Sequence, residues 1–95
     1  MLVYKSAYFE TDDEWIVGEV LDFPGVLSQG HGLDEARRML ASALVDMAET
    51  LLMDGQPLPV PDPTATNGTS MLEEPIYLVL DAGSHVRTVV ERATL

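Results

Sequence analysis

Cysteine is absent from the 95-residue sequence. Its absence excludes a disulfide framework, a thiolate nucleophile and a cysteine metal site, and it fits a reducing cytoplasm. Basic side chains are scarce. Five Lys and Arg stand against sixteen Asp and Glu, for a formal net charge of −11. Such a surface repels phosphate backbones, so the chain is not expected to grip DNA or RNA by itself. No run approaches the roughly 20 apolar residues of a membrane span. The opening stretch MLVYKSAYFE lacks the apolar core of a signal peptide. A cytoplasmic protein with no membrane partner is therefore expected.

Catalytic groupings are equally thin. The histidines are His31 and His85, and neither stands in a metal-ligand spacing. Ser28 and Ser84 lack the context of a nucleophile elbow. Glu10 and Asp22 close two predicted strands and could meet at one end of a sheet to hold a divalent metal. An Asp ahead of Phe-Pro-Gly more often fixes a turn by accepting from backbone amides. No catalytic residue, metal site or cofactor is expected.

What is present is the composition of one small globular domain, 46% hydrophobic and 22% charged. A chain this short buries a modest share of its surface, so its stability margin is thin. Leu2 to Glu10 carries the β-favouring residues of a strand, and Trp15 to Leu21 those of a second. The polar Thr11-Asp12-Asp13-Glu14 joins them as a hairpin turn. Asp22-Phe23-Pro24-Gly25 breaks the second strand, and Val26 to Gln29 makes a short third one before Gly30-His31-Gly32.

From Leu33 the period changes. Leu33, Ala36, Leu40, Ala43, Leu44, Met47 and Leu51 fall on one helical face. Asp34 and Glu35 suit the first turn, where the helix dipole favours negative charge. Gly55 caps the other end, with Pro57 beyond it. The helix is expected over Leu33 to Asp54. Prolines at 57, 59, 61 and 63 predict an extended connector, and 64–74 a polar linker. Ile76 to Leu80 reads as a buried strand, and Asp81 to Ser84 as a turn. Val86, Val89, Val90 and Ala93 would share a helical face, but the β-branched Thr88-Val89-Val90 favours a closing strand.

The order β-β-β-α-β, with a possible extra strand at the C-terminus, predicts a two-layer α+β fold. An antiparallel sheet carries one long helix on one face. Both sides of the strands are apolar. Leu2, Tyr4 and Tyr8 oppose Val3, Ala7 and Phe9, while Trp15, Val17 and Leu21 oppose Ile16 and Val20. One helix covers one face only. The other is expected to drive assembly into a homodimer or higher oligomer, unless the Pro-rich segment and C-terminal hairpin fold back over it.

The run Glu19-Val20-Leu21-Asp22-Phe23-Pro24-Gly25-Val26-Leu27-Ser28-Gln29-Gly30, followed by Leu33-Asp34-Glu35-Ala36, resembles the signature of HicB-type antitoxins. Asp54-Gly55-Gln56-Pro57-Leu58-Pro59 resembles the segment that ends that family's helix region. The likeness spans about residues 3 to 63, and the strand from Ile76 suits the fourth strand of the family's partial RNase H-like fold. It implies that Asp22, Pro24, Gly25, Gly30, Glu35, Ala36, Gly55 and Pro59 are structural signature positions. It also implies a function: occlusion of a small basic mRNA-cleaving toxin of the HicA type. The charge of −11 suits such a partner independently of the likeness. The exposed acids of the first hairpin, Asp12, Asp13 and Glu14, are the candidates for steering it.

Two departures stand out. Gly32 replaces the family's usual Thr ahead of the helix, which leaves Glu35 to reach back alone. Nothing after Pro63 reads as a DNA-binding module, which argues against direct DNA binding. The rival readings are an oligomer with no toxin, of structural or regulatory role, and a metal-dependent RNase H-like nuclease.

Overall fold

The computed structural model describes residues 1–80 in full, together with the backbone of Asp81 and of 85–90. The elements are β1 (Leu2–Glu10), β2 (Trp15–Val20), β3 (Leu27–His31), α1 (Leu33–Met53), β4 (Leu72–Asp81) and β5 (His85–Val90). The strands form one antiparallel sheet in the order β3-β2-β1-β4-β5, with α1 across one face. This is the expected two-layer α+β fold. The β-branched run 88–90 does lie in a strand. The turn expected over 81–84 and the tail beyond Val90 lie outside the fully described residues.

Register assigns the faces. Ser6 pairs with Val20 and with Glu74, and Tyr4 with Ile76. Because side chains alternate across a pleated strand, the even-numbered positions of all four principal strands point to one side. That side is the core. Tyr4, Tyr8, Val20, Ile76 and Leu78 are buried against Ala36, Leu40, Leu44 and Ala48 of the helix. The four helix positions are spaced by four and form its innermost ridge. Ala48 joins the face expected from the sequence, and Ala43, Met47 and Leu51 flank it. Fully burying a Leu-sized side chain contributes about 1.5–3 kcal/mol, so Leu40 and Leu44 matter to so small a domain.

The turn after β2 is also part of the core. Phe23 and Val26 are buried, and the Phe23 ring meets Tyr4 edge-on at 5.1 Å between centroids. Backbone bonds from Val20 to Val26 and from Phe23 to Val20 close the loop. Gly25, at φ +87°, supplies the left-handed residue it needs.

Two boundaries differ from the sequence reading. Val26 precedes β3, which runs on to His31, so His31 is a strand residue rather than a loop residue. β4 begins at Leu72, four residues earlier than its apolar run. Leu72, Glu73 and Glu74 therefore pair with β1 instead of belonging to a linker. Pro75 stands inside this strand opposite Lys5, just past the last described β4–β5 pair, Ile76 with Val90. A proline is tolerated on the β1 side because Lys5 directs its own N–H and carbonyl away from β4, to Asp22 and Leu21, so this pair exchanges no bonds.

Buried polar groups cluster under the helix. Glu74 is 4% exposed, and its carboxylate accepts two bonds from the Arg37 guanidinium, at 2.7 Å from Nε and 2.9 Å from Nη2. Beside it the Ser6 hydroxyl donates to the Glu74 carbonyl at 2.7 Å. The Tyr8 hydroxyl is buried with no hydrogen-bond partner among the described residues, and burial pushes its pKa up. An unsatisfied buried hydroxyl costs about 1–3 kcal/mol. Tyr8→Phe is therefore expected to leave the urea midpoint unchanged or to raise it. A clear drop would reveal a bonding partner for the hydroxyl.

Candidate functional site

The first hairpin places its acids by a specific turn. Thr11 N–H and its hydroxyl both donate to the Trp15 carbonyl, at 3.0 and 2.9 Å. Asp12, Asp13 and Glu14 form the loop between them, and Glu14 takes a left-handed φ of 66°. A three-residue hairpin loop ending in a left-handed residue is a recurrent way to join twisted strands. All three acids are exposed, as is Glu10 at the end of β1. This end of the sheet therefore projects a concentrated negative field.

The face of the sheet opposite the helix is the second component. Residues 62–71 cross part of it. Lys5 Nζ donates to the Ala65 carbonyl at 3.0 Å. The Glu73 carboxylate accepts from Thr66 Oγ1, Asn67 N–H and Ser70 Oγ at 2.9–3.0 Å. Lys5 and Glu73 also approach each other at 3.9 Å. Ala7, opposite Glu73 on this face, is fully buried. The second face is thus crossed over its middle by residues 62–71, not by the Pro-rich segment and C-terminal hairpin offered from the sequence: Pro59 bonds Tyr4 of the core face and β5 extends the sheet beside β4. Val3 and Leu27 stay exposed there at 43% and 59%. Trp15 and His31, opposite each other on β2 and β3, stack with ring centroids 3.6 Å apart.

Hydrogen bonds hold two carboxylates, Asp62 of the crossing segment and Glu73 of β4 beneath it, below their ordinary pKa values. For Asp62 the bonds come from the Thr64 hydroxyl and N–H, and for Glu73 from Asn67 N–H, with Thr66 and Ser70 assisting. A folded-state pKa that is depressed adds stability above the unfolded value and loses it as pH falls through the folded one. The segment is therefore expected to loosen from about pH 4 downward while the sheet persists. The Thr64 and Asn67 amide resonances report this. If both keep their positions well below that pH, the carboxylates do not anchor the segment.

The positions that carry the likeness are placed as follows. Asp22 Oδ1 accepts from Lys5 N–H at 2.8 Å and Oδ2 from Asp62 N–H at 2.9 Å. It does bond backbone amides, but those of β1 and the crossing segment rather than of its own turn. Pro24 is exposed beside the left-handed Gly25. Gly30 lies directly beneath the start of α1, where an added Cβ would stand 2.6 Å from Ala36 N. Ala36 is fully buried, and its N–H donates to Gly32 O. Glu35 Oε1 accepts from His31 N–H at 3.0 Å, so the reach back falls one residue before the cap. Gly55, at φ +70°, donates to Leu52 O while Gln56 N–H donates to Leu51 O, the paired bonds of a Schellman motif. The Pro59 carbonyl accepts from Tyr4 Oη at 2.7 Å and ties the proline segment to the domain.

The topology separates the two carboxylates that could have met. Asp22 sits against Lys5, whereas Glu10 pairs with Ile16 at the far end of β1. Five residues of strand, roughly 17 Å, lie between those points. Among the described residues no group of three or more His, Asp or Glu is arranged to hold a metal ion. Nor is any described helix long and apolar enough to cross a membrane.

The Arg37–Glu74 pair escaped the sequence reading. Its partners are 37 residues apart, and neither stands in a motif. Two of the scarce basic groups, Lys5 and Arg37, are engaged with Glu73, Glu74 and Asp34 inside the molecule. The chain matches no protein-family model and no curated protein.

Proposed function

We propose that this protein is an antitoxin-like binding module that neutralises a small basic mRNA-cleaving toxin by covering it. The observation that carries the reading is the exposed acidic loop Asp12-Asp13-Glu14 on a chain of net charge −11. Opposite charge steers encounter and selects the partner. The likeness of residues 3 to 63 to HicB-type antitoxins supports the same reading, and a partner of the HicA type is the one it implies. The signature residues serve the fold, so binding falls to the hairpin and to the apolar positions left open on the sheet. In this reading the protein is no enzyme, needs no cofactor, works in the cytoplasm and does not bind DNA directly as a single chain.

A second reading is favoured by a specific observation. Leu27 and Val3 remain exposed beyond the crossing segment, and such positions also suit a homodimer or higher oligomer without a toxin. Retention of partners by tagged protein from its native lysate at low salt, followed by mass spectrometry, separates the two. A stoichiometric small basic protein released by raised salt is expected. Self-association with no such protein would favour the oligomer.

A further inference from the structure

The outer edge of β3 is chemically unlike the rest of this surface. Its sequence, Leu27-Ser28-Gln29-Gly30-His31, carries no carboxylate in a chain that has sixteen. Exposed edges are usually guarded by charge, proline or a bulge, and this strand shows none of these. Its register fixes which backbone groups face out. Val20 N–H bonds to Val26 O, and hydrogen-bonded pairs alternate along an antiparallel ladder. Ser28 and Gly30 therefore turn their amides inward to β2, while Leu27, Gln29 and His31 turn theirs outward. The outward His31 N–H is already capped by the Glu35 carboxylate at 3.0 Å, which agrees with this assignment. The N–H and C=O groups of Leu27 and Gln29 meet no described residue, and both side chains are exposed.

We infer that β3 is the docking edge for an extended segment of a basic partner, which adds to the sheet as a sixth strand through Leu27 and Gln29. Charge complementarity selects this occupant. Trp15 pairs with His31, so the acidic loop lies at one end of the edge, where Glu35 also stands. Glu19 pairs with Leu27 at the other end. An incoming strand thus meets an uncharged pairing surface with carboxylates at both ends. A second copy could pair antiparallel about Ser28, but it would bring the same carboxylates and another −11 charges to the contact. The inference rests on the binding-module reading and adds its mode of attachment: main-chain bonds give the grip and flanking cations the selectivity.

The test is an amide NMR titration of the full chain with a synthetic heptapeptide of alternating valine and arginine. A control peptide of equal charge has alternate backbone amides methylated. The Leu27 and Gln29 amides are expected to move and to gain at least tenfold protection from exchange with the first peptide only. Gln29→Pro, which removes an outward N–H and leaves the β2 ladder whole, is expected to weaken binding at least tenfold. The inference is overturned if both peptides bind alike, if shifts appear only at Asp12 to Glu14, or if the edge amides respond to protein concentration alone. The result is distinguishable from failure of the toxin reading. Peptide pairing at the edge without a basic protein in the lysate removes the reading and keeps the edge. A retained toxin that binds Gln29→Pro at full strength does the reverse.

Discussion

Gly30→Ala is expected to lower the unfolding free energy by about 3 kcal/mol, among the largest effects of any single methyl in this chain. The new Cβ would lie 2.6 Å from Ala36 N, 2.8 Å from Glu35 C and 2.9 Å from Glu35 Cγ. The two closest of these atoms are helix backbone, so no side chain can swing aside to make room. Either α1 lifts from β3, which also uncovers the buried Ala36, or β3 bends away from β2. A domain of this size holds roughly 5–15 kcal/mol in total, and the loss corresponds to a fall of roughly 10–20 °C in Tm. Gly32→Ala is the control. Its φ is +85° and ψ 166°, a region that essentially only glycine enters, but nothing lies within 4 Å of the added carbon, so only the backbone is penalised, by about 1–3 kcal/mol. Urea or thermal unfolding of the two variants decides the matter. A loss at Gly30→Ala of less than about 1 kcal/mol would mean that Gly30 is not pinned by the helix.

The second large effect is at the buried ion pair. Arg37→Met is expected to cost about 3–5 kcal/mol, because Glu74 is left buried without its cation. The double variant Arg37→Met with Glu74→Leu is expected to return to within about 1 kcal/mol of the parent, since both desolvated charges are then gone. The two effects are thus strongly non-additive, and a double-mutant cycle by urea unfolding measures the coupling. Additive losses would show that Asp34, 3.6 Å from Arg37 Nη1, and solvent already hold the guanidinium without Glu74.

These two positions show what the sequence made legible and what it did not. Gly30 stands within a motif, and strand period, helix period and turn residues placed β1, β2, α1 and the Gly55 cap almost to the residue. Local rules govern those features, so local reading finds them. The early start of β4 was hidden because Leu72-Glu73-Glu74-Pro75 looks polar and broken. It becomes strand only because β1 offers a ladder and Arg37 and residues 66–70 satisfy the two glutamates. The Arg37–Glu74 pair and the Asp22–Asp62 clasp are long-range meetings with no periodicity to betray them. Of the candidate site, the acids at 12–14 were visible as a charge run. The uncharged free edge of β3 became visible only once the register fixed which amides face outward.

The proposed function turns on one activity. The most direct measurement is RNA cleavage by the basic protein retained on this chain, followed as the purified chain is added back. Cleavage is expected to fall linearly to background at a fixed stoichiometric ratio, and Asp12→Asn/Asp13→Asn/Glu14→Gln is expected to slow the onset of inhibition, most strongly at low salt. Cleavage that continues unchanged at a large excess of the chain would contradict the proposed function.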